Sequence, residues 1–247
     1  DERLEQSVKK ILKYKYKAGL NKYKPIAIPN LIQDINPLEN EALQYQLYEN
    51  AITVLKNDKN LLPIKDLNIQ KIAYVKLGDD FNSKFVSTLK KYTDVSEVNA
   101  TTIDSLNIKL KDYSTVIIGY HKADKPWKNN DFTTTEMLWL QEIAKNNTVI
   151  LDVFAKPYSL LPITNFDDIE GLIVSYQNND IAQEVSAELL FGAIEAKGKL
   201  PVSINDSFKV NEGLSTAKMN RLGFTAPENV GMSSEKLNQI DVLAQKA

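Results

Sequence analysis

The sequence predicts an α/β fold, a three-layer α/β/α sandwich built on a mostly parallel sheet. From residue 71 onward, short apolar runs rich in β-branched residues alternate with stretches of helical periodicity, and this order of elements is typical of α/β domains. The apolar runs are nearly continuous rather than alternating, as expected of strands covered on both faces. The crossovers between these strands should be right-handed.

The first segment, residues 1–55, is predicted to hold two helices joined by a connector. Residues 3–18 place apolar side chains at helical spacing among lysines, and Gly19 stands where a helix stop is expected. Residues 20–38 carry three prolines and little periodicity, which favours an extended connector. Residues 40–55 again show helical spacing and predict the second helix.

The sandwich is assigned to residues 56–204. Its strand candidates are residues 72–77, 115–120, 148–154 and 172–176, a weaker run at 94–98, and a last strand at 201–204. Helices are predicted between them at about residues 81–91, 133–146 and 180–194.

Residues 205–247 are predicted to form a linker and the start of a following domain. Glycines, a proline and polar residues fill positions 205–231. Residues 233–246 are helical again, with Ser233 or Ser234 as the N-cap. Because the sequence begins and stops inside helical patterns, we expect both ends to be cut from a longer chain.

Composition excludes several classes of function. With 30 basic and 32 acidic residues the net charge is -2, which argues against a nucleic-acid partner. No apolar run approaches the roughly 18 residues of a membrane-spanning helix. The absence of cysteine excludes disulfides and thiol chemistry, and the single histidine, His121, excludes a histidine-rich metal site. We therefore predict no metal and no cofactor.

Polar residues are expected at the carboxyl ends of the strands, where open α/β sheets bind ligands. They are residues 78–80, 120–122, Asp152 and residues 176–180. A signalling receiver domain would use Asp79 and Asp80 as a metal-binding pair. Such a domain also needs a phosphoacceptor aspartate at the end of its third strand, where Tyr120 and His121 stand. Solvated loop carboxylates are the plainer interpretation of the pair, and a stand-alone ligand-binding or signalling domain stays open as the alternative.

The candidate substrate-binding residues are His121 and Trp127. His121 is the sole imidazole and could move a proton, although no second histidine and no serine or cysteine nucleophile motif stands near it. Trp127 lies in a polar loop after Pro126, where an indole could stack on a sugar. Trp139 lies on an apolar helix face and is expected in the core.

Hydrolase motifs assign no catalytic residue. The sequence lacks a G-x-S-x-G elbow. Ser-x-x-Lys occurs four times without its partner motifs, at Ser7, Ser87, Ser215 and Ser233. A glycosidase needs two carboxyl groups about 5 to 10 Å apart. Acidic residues such as Asp167 and Asp168 are neighbours in the sequence, and this alone is not evidence of such a site.

Four ordered motifs resemble glycoside hydrolase family 3. Residues 3–20 resemble the helix that ends the catalytic barrel of that family. Residues 51–64, with A-I-T-V-L-K-N and L-L-P-I, look like the entry into its C-terminal α/β domain, and residues 71–75 match the strand that follows. A-E-L-L-F-G at 187–192 and G-K-L-P-V at 198–202 resemble its exit.

The tail carries a second resemblance. R-L-G-F from Arg221 and P-E-N-V-G-M-S-S-E-K-L from Pro227 are similar to the lead-in of a serine β-lactamase-like domain. Fusions of a family 3 β-N-acetylhexosaminidase to such a domain occur in bacteria of the Bacteroidetes type. The Ser-x-x-Lys hits at Ser215 and Ser233 precede that domain and are not assigned its nucleophile.

The resemblance implies a flavodoxin-like accessory domain of a retaining β-N-acetylhexosaminidase. In that family the nucleophilic Asp and, in the hexosaminidase branch, the acid/base His lie on the barrel, so the isolated chain is expected to be inactive. The implied partners are the barrel domain of the parent chain and a carbohydrate at the domain interface. The parent protein is expected in the periplasm or cell envelope.

Overall fold

The computed structural model describes residues 1–125 and 130–245, which divide into two compact units, Asp1–Leu38 and a larger unit that begins at Glu39. The smaller unit holds helix α1 (Glu2–Lys17) and a short helix α2 (Leu31–Ile35). Gly19 follows α1 with a φ of 77°, a left-handed conformation that glycine adopts without strain, and the helix stop predicted there is confirmed.

The larger unit is built on one six-stranded sheet. In chain order its strands are β1 (Thr53–Asn57), β2 (Ile72–Gly78), β3 (Val95–Glu97), β4 (Thr115–His121), β5 (Val149–Phe154) and β6 (Gly171–Val174). Their order across the sheet is β1-β6-β5-β4-β2-β3. All neighbours are parallel except β1, which pairs antiparallel with β6 at the edge of the sheet.

Helices cover both faces of the sheet. They are α3 (Leu38–Ala51), α4 (Ser83–Tyr92), α5 (Ile103–Leu110), α6 (Thr134–Asn146) and α7 (Asp180–Leu190), followed by α8 (Ser234–Ala244) in the tail. Local side chains set several of their starts: Thr102, Asn179 and Ser233 cap α5, α7 and α8, and Thr133 forms a capping box with Glu136 at α6.

Two apolar clusters fill the space between sheet and helices. Alternate residues of the central strands point to opposite faces, so Val116 and Leu151 pack with α5 and α6, while Ile117 and Ile150 pack with α3, α4 and α7. The predicted three-layer α/β sandwich is therefore confirmed.

Two sequence predictions for individual elements are wrong. The helix predicted over 40–55 ends at Ala51, and its last residues form strand β1. Residues 201–204 form no strand in the part of the chain that the structure describes; instead Leu200 exchanges backbone hydrogen bonds with Asn211 and Glu212. Helices α2 and α5 were not predicted, and α2 lies within residues 20–38, where an extended connector was expected.

The tail from residue 205 onward packs closely on the preceding part of the larger unit. Arg221 donates to the backbone oxygens of Ile64 and Phe191, and the amide of Phe224 donates to Glu188. The division of the chain at residue 205 stays a prediction. Within the described ranges, no helix combines the length and the apolar character needed to cross a membrane.

Candidate ligand site at the carboxyl edge of the sheet

The strand order places a topological switch between β2 and β4. After β2 the chain runs to β3 on one side, and it then returns to the other side of β2 to form β4. The two crossovers therefore leave in opposite directions and open a crevice at the carboxyl ends of β2 and β4. Ligands of open α/β sheets bind at this kind of position.

Gly78 allows the loop after β2 to cross closely over the end of β4. Its φ is 87°, and a Cβ at this position would lie 2.1 Å from the backbone oxygen of His121. The amides of Asp79 and Asp80 lie 3.1 and 3.3 Å from the same oxygen and donate to it. This sharp turn brings the predicted polar residues after β2 against His121, the last residue of β4.

His121 is fully buried and both of its ring nitrogens are hydrogen-bonded. Its imidazole stacks on Phe154, with ring centroids 4.4 Å apart. Nε2 lies 2.9 Å from the hydroxyl of Tyr74, and Nδ1 lies 2.9 Å from Oδ1 of Asn178. The substrate-binding role suggested for His121 stays a prediction, and this geometry restricts any such role to an indirect one.

The partners of Asn178 determine the tautomer of His121. The Asn178 amide nitrogen donates to Asp80 and to the backbone oxygen of Phe81, both at 2.9 Å. Its oxygen therefore faces His121 and must accept a proton from Nδ1. Nε2 then accepts from Tyr74, whose oxygen in turn accepts from Asn82 at 3.1 Å. A continuous chain of hydrogen bonds thus runs from Asn82 to Asp80.

Burial keeps this imidazole neutral. Desolvation lowers the pKa of His121 to about 4, although the hydrogen bond to Asn178 acts in the opposite direction. A neutral ring suits the chain of hydrogen bonds, because only a neutral imidazole both donates and accepts. His121 therefore ties together β2, β4 and the loop after β6.

Lys122 and Glu136 form the second polar cluster at this edge. The Lys122 side chain is 8% exposed, and its Nζ lies 3.2 Å from Glu136 and 3.9 Å from Asp79. Glu136 also accepts from the amides of Gly78 and Thr133. The cluster links the loops after β2 and β4 to the start of α6.

The loop after β6 begins with a strained turn that the sequence patterns do not indicate. Tyr176 has a φ of 64°, and the amide of Gln177 donates to the oxygen of Ser175 at 2.7 Å. A hydrogen bond between residues i and i+2 around a positive φ is the rare, strained kind of γ-turn. Such strain is unusual for a bulky residue, and here it presents Gln177 and Asn178 at the carboxyl edge.

Two buried carboxyl groups lie away from the switch point. Asp152, in the middle of β5, accepts from the hydroxyls of Ser175 and Ser186 at 2.7 and 2.5 Å, and burial raises its pKa to about 7. Glu188 on α7 accepts from the amide of Phe224 at 2.8 Å, and burial raises its pKa to about 8. Asp152 was expected at the carboxyl end of its strand, but it lies inside β5 and is fully buried. Glu188 was not singled out from the sequence.

The other predicted residues have different outcomes. Trp127 lies outside the described residues. Trp139 is half-buried and packs against the core. Asp167 and Asp168 precede β6 and so lie at the opposite end of the parallel strands from the switch. In the described chain no group of three histidines or acidic residues is arranged to hold a metal ion, and Asp80 is bonded to Asn178.

Solved structures share this fold. One is a fungal multi-domain β-N-acetylglucosaminidase, described as containing a glucosamine N-acetyltransferase region (24% identity, TM-score 0.58, 72% of this chain and 20% of that one). A β-glucoside phosphorylase has 21% identity and a TM-score of 0.59, covering 83% and 39%. A β-N-acetylglucosaminidase from Paenibacillus sp. str. FPU-7 has 17% identity and a TM-score of 0.58, covering 83% and 40%.

The chain thus spans two fifths or less of the length of these three proteins. Among curated proteins, none matches the chain in sequence. The model of the glycosyl hydrolase family 3 C-terminal domain matches residues 52–236, most of the chain and nearly all of its larger unit. The chain belongs to the glycosyl hydrolase family 3 C-terminal domain family.

Proposed function

We propose that the chain is the accessory domain of a retaining glycosidase that hydrolyses terminal β-linked N-acetylhexosamine. A catalytic barrel in the same parent protein supplies the nucleophile and the acid/base group. Membership of the family supports the accessory role. The names of two structural neighbours, both β-N-acetylglucosaminidases, support the choice of sugar.

The observation that carries the proposal is the state of the carboxyl edge. A retaining glycosidase needs a nucleophilic carboxylate and a group that exchanges a proton with the leaving oxygen. At the switch point, His121 is buried and neutral, and Asp80 is held by Asn178. These residues offer no pair of groups arranged for catalysis, so the isolated chain is inactive in our proposal.

The carboxyl edge would form one wall of the substrate site. The chain of hydrogen bonds through His121 and the strained turn at Tyr176 both hold loops at this edge in fixed positions. A fixed loop loses less conformational freedom when a ligand binds. The contribution of this domain would then be to position the outer part of the sugar and to exclude water from it.

Helix α1 would bind the barrel. Leu4, Val8, Ile11 and Leu12 lie on one stripe of the helix and are 47–67% exposed, and no residue of α1 is buried. An amphipathic helix gains most of its stability by covering such a stripe. In our proposal the stripe packs against the barrel of the parent protein.

We propose that the parent protein continues beyond α8 into a serine β-lactamase-like domain, as in bacterial fusions of this kind. We also propose that it acts in the periplasm or cell envelope. The tail motifs from Arg221 and Pro227 support the fusion. The full-length gene tests both statements, through an export signal ahead of the barrel and a β-lactamase-like domain after residue 247.

The barrel contact can be tested by co-expressing the barrel of the parent protein with this chain. Ile11→Glu places a charge in the apolar stripe and should abolish co-purification, whereas Lys13→Glu, a change on the same helix but outside the stripe, should leave it intact. Equal co-purification of both variants would contradict the proposed role of α1.

A further inference from the structure

A hollow lies on the carboxyl edge beside the switch point. Strand β3 pairs only with Ile72–Tyr74, so the rest of β2 has β4 as its sole strand neighbour. The missing neighbour leaves a cavity of about 330 Å³, near the lower limit of roughly 300 Å³ for small-molecule sites. We call this cavity the Trp139 pocket.

The Trp139 pocket combines an aromatic wall, an apolar floor and an amide rim. Trp139 is half-buried, and its helix α6 is anchored in the core by Leu140 and Ile143, so the indole is held in place. Leu106 and Val75 are buried beneath it, and Asn82 and Asn99 stand at the rim.

The charges around the pocket disfavour an ionic ligand. Among its described lining residues, Lys76 is the one cation and Glu97 the one anion, and Glu97 is already paired with Lys90 at 2.7 Å. A phosphate or a nucleotide would need several donors or cations, as anion sites usually provide. The pocket is therefore suited to a neutral ligand.

A pyranose ring matches this arrangement. One face of such a ring carries C–H groups, which are attracted to the negative face of an indole. Its edge carries hydroxyls, which both donate and accept and so match carboxamide groups such as those of Asn82 and Asn99. The volume suits a single ring rather than a long oligosaccharide.

The pocket is also connected to the switch point. Asn82 donates to the hydroxyl of Tyr74, which is bonded to His121, and the chain continues through Asn178 to Asp80. A ligand that binds Asn82 would therefore contact one end of the chain of hydrogen bonds that orders the carboxyl edge.

We propose that the Trp139 pocket is a carbohydrate subsite that binds one neutral pyranose unit against the indole of Trp139. This inference rests on the proposed function, because a glycosidase domain is where such a subsite has a use. It assigns the stacking residue to Trp139 rather than to Trp127.

The test is a titration of the whole 247-residue chain with N-acetylglucosamine, monitored by saturation-transfer NMR of the sugar signals. This readout needs no tryptophan as a reporter. We expect saturable binding in the millimolar range, and no saturable signal with glycerol. Asn99→Ala removes an exposed rim amide without touching the core and should weaken binding at least about fivefold. Asn146→Ala, a change of an exposed asparagine elsewhere, should have no effect.

Tryptophan variants decide which indole stacks on the sugar. Trp139→Phe should weaken binding, while Trp127→Phe should retain it. The opposite pattern would overturn the assignment, as would unchanged affinity in both Asn99→Ala and Trp139→Phe, or the absence of saturable binding in the unmodified chain. The co-purification test with the barrel is independent of these measurements, so failure of the subsite and failure of the accessory role are distinguishable.

Discussion

Gly119 is the residue that makes room for the buried hydrogen bond between Tyr74 and His121. A Cβ on Gly119 would lie 2.4 Å from Nε2 of His121 and 2.8 Å from the hydroxyl of Tyr74. Both rings are fully or almost fully buried and cannot move into open space. The absence of a side chain at Gly119 therefore allows a tyrosine and a histidine to meet across neighbouring strands.

We predict that Gly119→Ala lowers the free energy of unfolding by about 2–3 kcal/mol, because overpacking of a core displaces its neighbours. Denaturant unfolding measures the change. Gly231→Ala is the comparison, since a Cβ there meets open space and only its φ of 74° opposes the substitution; it should cost about 1 kcal/mol. Equal effects of the two changes would contradict the account of Gly119.

Asp152 should make stability depend on pH. Its pKa is raised from 3.8 to about 7 in the folded protein, so between these values the folded state binds the proton and the unfolded state does not. The contribution of this group is present below about pH 4 and is lost as the pH rises to about 7. His121, with its pKa lowered to about 4, acts in the opposite direction from about pH 4 to 6.5.

We predict that Asp152→Asn gains stability relative to the unmodified chain as the pH rises from 4 to 7, by up to about 1.4 kcal/mol per pH unit. The difference between the two proteins isolates Asp152, because His121 and Glu188 are present in both. Denaturant unfolding across this pH range measures it, with Asp112→Asn as the surface control. Parallel pH profiles for Asp152→Asn and the unmodified chain would contradict the prediction.

At the scale of elements, helix α7 and the tail that crosses it carry much of the buried polar bonding. Every residue from Ala182 to Leu190 is buried, including Glu184 and Glu188. Glu184 pairs with Lys84 and Lys91, whereas Glu188 receives the backbone amide of Phe224 from the tail. The tail therefore completes the environment of a helix that covers one face of the sheet.

We predict that Arg221→Ala lowers the free energy of unfolding by about 1–2 kcal/mol. The change removes two hydrogen bonds that the charged, partly exposed guanidinium donates. The lost bonds join the tail to the backbone oxygens of Ile64 and Phe191. Arg3→Ala changes the other arginine of the chain, on α1, and is the matched control. A tail that only links domains would leave both variants as stable as the unmodified chain.

The elements that sequence patterns predicted well are those whose local and tertiary preferences agree. The central strands β2, β4 and β5 are mostly apolar because both faces are covered. In contrast, residues 52–55 fit the apolar spacing of the preceding helix, and only pairing of Thr53 and Val54 with β6 makes them a strand. Residues 201–204 show the reverse case, since β-branched residues there find no strand to pair with.

The candidate site was predictable in position but not in detail. The rule that ligands bind at the carboxyl ends of the strands placed Asp79, Asp80 and His121 together, as the structure has them. The burial of His121 depends on Gly119, Phe154 and Asn178, which meet only in the folded chain. The turn at Tyr176 has no sequence signal, because tyrosine rarely adopts a positive φ.

At the scale of the whole molecule, the larger unit has an α/β fold, and the smaller unit holds a helix whose apolar stripe is exposed. The chain spans two fifths or less of the three glycosidase-related structures it resembles. In our account the barrel performs the chemistry, while this domain supplies a preorganised edge with a carbohydrate subsite.

The central claim is that this chain serves catalysis without performing it, and hydrolysis of a chromogenic N-acetylglucosaminide tests it most directly. The isolated chain should release no chromophore above the buffer rate, whereas the parent protein with its barrel should turn the substrate over. Asp80→Ala and Asn178→Ala in the parent protein should reduce turnover without abolishing it. Turnover by the isolated chain that co-elutes with it through purification would contradict the account.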